Sequence, residues 1–160
     1  MKRVVILGRG ASGKSTLARR LGSITGLPVI EADKIFWQAG LIPTARERWV
    51  AIQEEIVAED RWIIDGDLGR YDAVEVRLRA ADTIILLDFS LLRCGLQAMR
   101  RSPERSDFWF WLVAYRYQSL PILKKAISKY AQNGVLHVFR APGAMDRFVA
   151  EVAIRRRCPM

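Results

Sequence analysis

Residues 4–16 read Val4-Val5-Ile6-Leu7-Gly8-Arg9-Gly10-Ala11-Ser12-Gly13-Lys14-Ser15-Thr16, and this stretch decides the fold. Val4 to Leu7 is an unbroken run of β-branched and aliphatic residues ending at a glycine, the pattern of a strand buried on both faces of a parallel sheet. Gly8 to Ser15 then matches G-x-x-x-x-G-K-[ST] without exception. Glycines let the chain curl and bring its backbone close to a ligand, successive amides form an anion-binding nest, and the helix that follows adds its positive end. Lys14 is expected to reach the β- and γ-phosphates of a nucleoside triphosphate, Ser15 to offer its hydroxyl to Mg²⁺, and Thr16 to support the α-phosphate. The expected nucleotide ligands are thus Gly8, Arg9, Gly10, Ala11, Ser12, Gly13, Lys14, Ser15 and Thr16. A random chain of this length would carry the pattern with a probability of roughly 0.5%. No Asn-Lys-x-Asp guanine signature occurs, so ATP is the default donor.

Working outward, the chain alternates strands and helices. Short apolar runs at Val29-Ile30, Trp62–Ile64, Thr83–Leu87 and Val135–Phe139 predict four further strands. Helices are predicted from Lys14 to about Leu21, Arg46 to Asp60, Leu91 to Arg101, Phe108 to Tyr130 and Asp146 to Arg157, with Pro121 marking a kink or boundary. Such alternation implies right-handed crossovers and one α/β three-layer domain over residues 1–160. Ligands in such sheets sit at the carboxyl ends of the strands. Asp33, Asp65 and Asp88 each follow a strand and should border the same crevice as the glycine loop. Asp65 is the first choice for holding magnesium, Asp88 the second, and Asp33 the candidate to orient or deprotonate an acceptor hydroxyl.

Phosphoryl transfer spreads negative charge over the moving group, which arginines can clamp. Arg100 and Arg101 end a predicted helix and Arg105 lies in the polar break after it, so residues 100–107 are expected to form a short lid hinged at Ser102-Pro103-Glu104. Arg101 and Arg105 join Lys14 and Asp33 as catalytic candidates, and Arg70 and Arg116 join Asp33 as candidates for facing the acceptor. Phe108-Trp109-Phe110-Trp111 covers every side of a helix and is read as core or dimer packing rather than base stacking. His137, within the last strand, is read as structural.

With 26 Lys and Arg against 17 Asp and Glu, the formal net charge is +9. This favours polyanionic partners, and nucleic acid is admitted by charge though by no motif. Cys94 and Cys158 lack the spacing of a zinc or redox site, and the apolar run after Met1-Lys2-Arg3 is too short for a signal peptide or a membrane span. A cytoplasmic protein without membrane contact is expected. Oligomeric state is open, with a dimer among the options.

In order, the glycine loop, Glu31-Ala32-Asp33-Lys34-Ile35-Phe36-Trp37, Arg61-Trp62-Ile63-Ile64-Asp65-Gly66, and Ala81-Asp82-Thr83 to Asp88-Phe89 resemble the small adenylate-kinase-like P-loop proteins named for DNA topology modulation. The resemblance spans nearly the whole chain. It implies a nucleoside-monophosphate-kinase-like fold with a five-stranded parallel sheet, helices on both faces, ATP as donor and a nucleotide or nucleoside as the small-molecule acceptor. It also implies that residues 34–60 bind the acceptor, and it likens Asp65-Gly66 with Arg70 to the Asp-Gly-x-x-Arg turn of adenylate kinases, here one residue longer. The chain departs from that pattern in its short lid and in having Gln97, Gln118 and Leu120 where relatives tend to carry arginine. Two functions therefore stand side by side: a small-molecule phosphotransferase, and a nucleotide-binding regulator acting on DNA or a protein.

Overall fold

A computed structural model describes residues 1–101 and 106–157. Strand β1 (Arg3–Gly8) leads through the glycine loop into helix α1 (Lys14–Thr25), and β2 (Val29–Glu31) into the short α2 (Ala32–Phe36). A two-stranded hairpin, β3 (Trp37–Gln38) and β4 (Ile42–Pro43), precedes α3 (Arg46–Ala58) and β5 (Trp62–Asp65). A 3-10 turn at Gly69–Tyr71 precedes α4 (Val74–Ala80), and β6 (Thr83–Leu87) leads to α5 (Leu91–Arg101). The chain closes with α6 (Ser106–Tyr130), β7 (Val135–Phe139) and α7 (Pro142–Arg157).

The main sheet has the order β2-β5-β1-β6-β7 and all four of its pairings are parallel. The strand period of two splits β1 between two cores. Val5 and Leu7 pack with Trp62, Ile64, Ile84 and Leu86 against α4 and α6. Val4 and Ile6 pack with Ile63, Ile85 and Leu87 against α1, α5 and α7. Both faces are thereby covered, as expected for a parallel sheet. The register aligns Ile6 with Asp65 and Gly8 with Leu87, so the carboxyl ends of β1, β5 and β6 meet at one edge of the sheet.

Four parts differ from the sequence reading. Helix α2, the hairpin and α4 are additional elements within the stretches read as connections. Pro121 does not end or divide its helix: α6 runs unbroken across it. Pro121 is exposed, so the backbone acceptor it leaves without a partner faces solvent, while Leu120, Leu123 and Ile127 pin the other side into the core. No helix among the described residues is long and apolar enough to cross a membrane.

Candidate active site

The glycine loop occupies the edge where β1 ends. A Cβ on Gly8 would lie 2.6 Å from the Leu87 carbonyl oxygen, so only glycine lets β1 leave the sheet beside β6. Gly13 takes φ +90° as the residue that opens α1 and supplies no side-chain cap. The first turn of α1 also lacks any acidic residue. The first amides of a helix have no intrahelical partner, and here neither a capping side chain nor a carboxylate answers them. Free amides and a positive dipole end are what an incoming phosphate requires.

Lys14, half-buried, donates from Nζ to the Arg9 carbonyl oxygen at 3.2 Å. Its ammonium acts electrostatically on Asp33, Asp65 and Asp67, so one cation faces a group of carboxylates. Asp65 is 3% exposed and its Oδ1 has no hydrogen-bond partner. Burial pushes its carboxyl above the usual range, with the Lys14 ammonium and the Ser15 hydroxyl pulling the other way. The Ser12 hydroxyl is likewise buried and unpartnered. Orphaned polar groups of this kind are costly unless a ligand satisfies them. A buried carboxylate oxygen beside a serine hydroxyl and a nest of amides is a hard-oxygen donor set. Such a set would suit a hard divalent cation such as magnesium.

Asp33 stands on α2, accessible to solvent at the same end of the sheet. The surrounding protein raises its carboxyl, Lys14 opposes this, and Asp65, Asp67 and Asp72 add to the rise. Thr16 is exposed in the first turn of α1, and Ala11 holds φ +54° within the loop.

The remaining candidates lie as follows. The Arg9 side chain does not reach into the crevice. It is 4% exposed, with its guanidinium carbon 5.5 Å from the centroid of the Tyr115 ring. Arg70 is exposed and lies on its neighbour, donating to the Tyr71 hydroxyl at 2.7 Å with its charge 4.9 Å from that ring. Arg116 is exposed on α6. Asp88 makes an ion pair with Lys124 at 3.6 Å. Arg105 and the hinge Ser102-Pro103-Glu104 lie outside the described residues, as does Cys158. Arg101 closes α5.

Of the four-aromatic run, Phe108, Trp109 and Trp111 are partly buried while Phe110 is 73% exposed. His137 packs against Phe148 and Phe139 with ring centroids at 4.7 and 6.2 Å, and burial lowers its pKa. Gln97 stands beside the loop, its Nε2 3.7 Å from where a Cβ on Gly13 would lie.

Sequence reasoning missed the residues that shape the loop from Gly66 to Asp72. Asp67 accepts the Gly69 amide at Oδ1, 3.0 Å, and the Tyr115 hydroxyl at Oδ2, 2.8 Å. Burial raises the Asp67 carboxyl, against Lys14 and those two hydrogen bonds, while burial and Asp67 push the Tyr115 phenol far above its ordinary range. Arg77, fully buried, clamps Asp72 with two bonds of 2.8 and 2.6 Å and donates to the Gly66 carbonyl at 2.9 Å. A carboxylate two residues beyond Asp65 was the one available signal for Asp67. Nothing local marks Tyr115 or Arg77.

The architecture recurs in solved kinases. A gluconokinase from Sinorhizobium meliloti 1021 superposes with TM-score 0.58 at 17% identity, over 98% of this chain and 91% of that one. A shikimate kinase from Bacteroides thetaiotaomicron gives TM-score 0.59 at 12% identity, over 98% and 99%. The fold is a P-loop kinase fold. A sugar kinase from Janibacter sp. HTCC2649 matches at TM-score 0.52 and 19% identity, over 97% and 91%. No family model matches the chain, and no curated protein does.

Proposed function

We propose that this protein is a phosphotransferase that moves the γ-phosphoryl group of MgATP to a hydroxyl of a small acceptor, a nucleoside or nucleotide in the first instance. The observation that carries this reading is the combination of Lys14 and Ser15 with the unpartnered Oδ1 of buried Asp65 at the mouth of an uncapped helix. In this reading the loop amides and α1 bind the triphosphate, and Lys14 leaves the Arg9 carbonyl to neutralise the β- and γ-phosphates. Ser15 and Asp65 hold magnesium, which when bound offsets charge on the phosphate oxygens. Asp33 accepts or orients the acceptor hydroxyl, its raised pKa bringing it nearer to the value a base needs. Arg101 and Arg105 are the cations proposed to offset charge on the transferred group, and residues 34–60 with Arg70 to frame the acceptor. The likeness to the proteins named for DNA topology modulation belongs to this reading too. Catalysis rests on positioning and electrostatics, with no covalent intermediate.

A second reading, nucleotide binding with little transfer and a regulatory role toward DNA or a protein, draws on Gln97 beside Gly13 in place of a cation. One assay separates them. Purified protein with MgATP is screened against nucleosides, nucleoside monophosphates, sugars and hydroxy acids, following ADP release. Acceptor-stimulated turnover that falls at least about 100-fold in Lys14→Ala supports the kinase, since removing one oxyanion-type donor typically costs that much. If no acceptor raises ADP release while DNA is bound with a steep salt dependence, the regulator stands instead.

A further inference from the structure

Helix α6 touches both halves of the site with one face. Trp111 and Phe108 lie against the glycine loop: a Cβ on Gly10 would meet Trp111 Cζ3 at 2.5 Å and Phe108 Cε2 at 2.9 Å. One turn on, Tyr115 lies beneath the Arg9 guanidinium and bonds to Asp67 at 2.8 Å. Trp111 Nε1 and Ser119 Oγ stand 3.6 and 3.5 Å from a Cβ built on Gly69, in the loop that Asp67 shapes. Residues 108, 111, 115 and 119 recur at helical spacing, so they share one side of α6.

Arg9 belongs to both ends of this contact. Its carbonyl oxygen holds Lys14 Nζ at 3.2 Å, while its buried guanidinium has Nε and Nη1 without partners. Drawing Lys14 onto a triphosphate breaks the bond to that carbonyl, and the buried guanidinium, with donors unused and the Tyr115 ring beneath it, links this part of the loop to α6. We propose that Tyr115 is a positioning residue: through its hydroxyl on Asp67 and its ring under Arg9, it ties the conformation of residues 66–72 to occupancy of the phosphate loop. The nucleotide would then order the acceptor side before an acceptor arrives. The inference rests on the nucleotide-binding reading above.

Tyr115→Phe tests it, because the ring under Arg9 remains and only the bond to Asp67 is lost. Hydrogen exchange of the 66–72 backbone is followed with and without a non-hydrolysable MgATP analogue, whose affinity is measured in the same samples. The wild type is expected to slow exchange at the Gly69 amide at least threefold on binding. Tyr115→Phe should bind the analogue within twofold of the wild type, with an unchanged circular-dichroism spectrum, and show no such slowing. Asp67→Asn, which keeps a side-chain acceptor for Tyr115, should retain part of it. Equal protection in wild type and Tyr115→Phe overturns the inference, as does a wild-type loop that ignores the bound analogue. Failure of the wild type to bind the analogue at all overturns the nucleotide reading itself, and this inference with it.

Discussion

Replacing Arg77 with methionine should destabilise the protein more than removing any surface charge. Arg77 has no exposed surface, and its partner Asp72 has a side chain only 3% exposed. The guanidinium donates to both Asp72 oxygens, to Gln53 Oε1 at 2.8 Å and to the Gly66 carbonyl. Methionine fills much of the volume but strands the carboxylate with two long bonds, from Trp49 Nε1 at 3.3 Å and the Leu68 amide at 3.4 Å. Breaking a buried pair from one side costs about 3–5 kcal/mol. For a chain of this size each kcal/mol shifts Tm by about 2–4 °C, so the variant should melt roughly 10 °C lower. Urea unfolding monitored by tryptophan fluorescence and by far-UV circular dichroism measures the change in free energy. Adding Asp72→Asn removes the stranded charge while keeping an acceptor for Trp49, so the double variant should recover a large part of the loss. A single-variant cost below about 1 kcal/mol, the range of exposed pairs, would refute the argument that this pair is buried and braces the loop.

Two further substitutions probe the crevice. Burial raises the folded-state pKa of Asp65 above its unfolded value, so the ionised carboxylate opposes folding at neutral pH. Asp65→Asn should therefore make the ligand-free protein more stable at pH 7. That advantage should shrink as pH falls through the raised folded-state value and vanish below the ordinary aspartate range, where the wild-type carboxyl is protonated in both states. The same variant should lose about tenfold or more of its Mg²⁺-dependent ATP affinity in isothermal titration, and equal affinity would remove Asp65 from the metal site. Gly10→Ala puts a methyl carbon 2.5 Å from the Trp111 ring, so urea unfolding should show a cost of about 1–3 kcal/mol as the rings give way. It should also weaken nucleotide binding, because the loop is lifted from α6, and a neutral result would mean that the rings do not rest on the loop.

What was hidden from the sequence was hidden for identifiable reasons. Val74-Glu75-Val76-Arg77-Leu78 alternates with a period of two, which suits a strand, yet it forms α4 with Arg77 and Leu78 both buried. An arginine in that pattern reads as solvated, and only the presence of Asp72, Gln53 and the Gly66 carbonyl around it reverses the expectation. Helix α2 and the β3–β4 hairpin have five residues and two plus two, too few for periodicity to register. At Arg9 the motif constrains the backbone and leaves the side chain to whatever packs beside it, here the Tyr115 ring.

Legible in the amino-acid order alone were the glycine loop between β1 and α1, the parallel α/β class, the carboxyl ends of all five strands of the main sheet to within one residue, and the nearness of Asp65 to Lys14. Each of these follows from local causes: glycine geometry, side-chain periodicity and the rule that loops at strand ends share one edge. The order of strands across the sheet, the burial of Arg9 and Arg77, and the Tyr115–Asp67 bond across 48 residues were decided by the tertiary structure. Such contacts join segments whose separation is fixed only after every crossover has been packed, and a side chain's partners in that final arrangement leave no periodic trace in the chain that carries them.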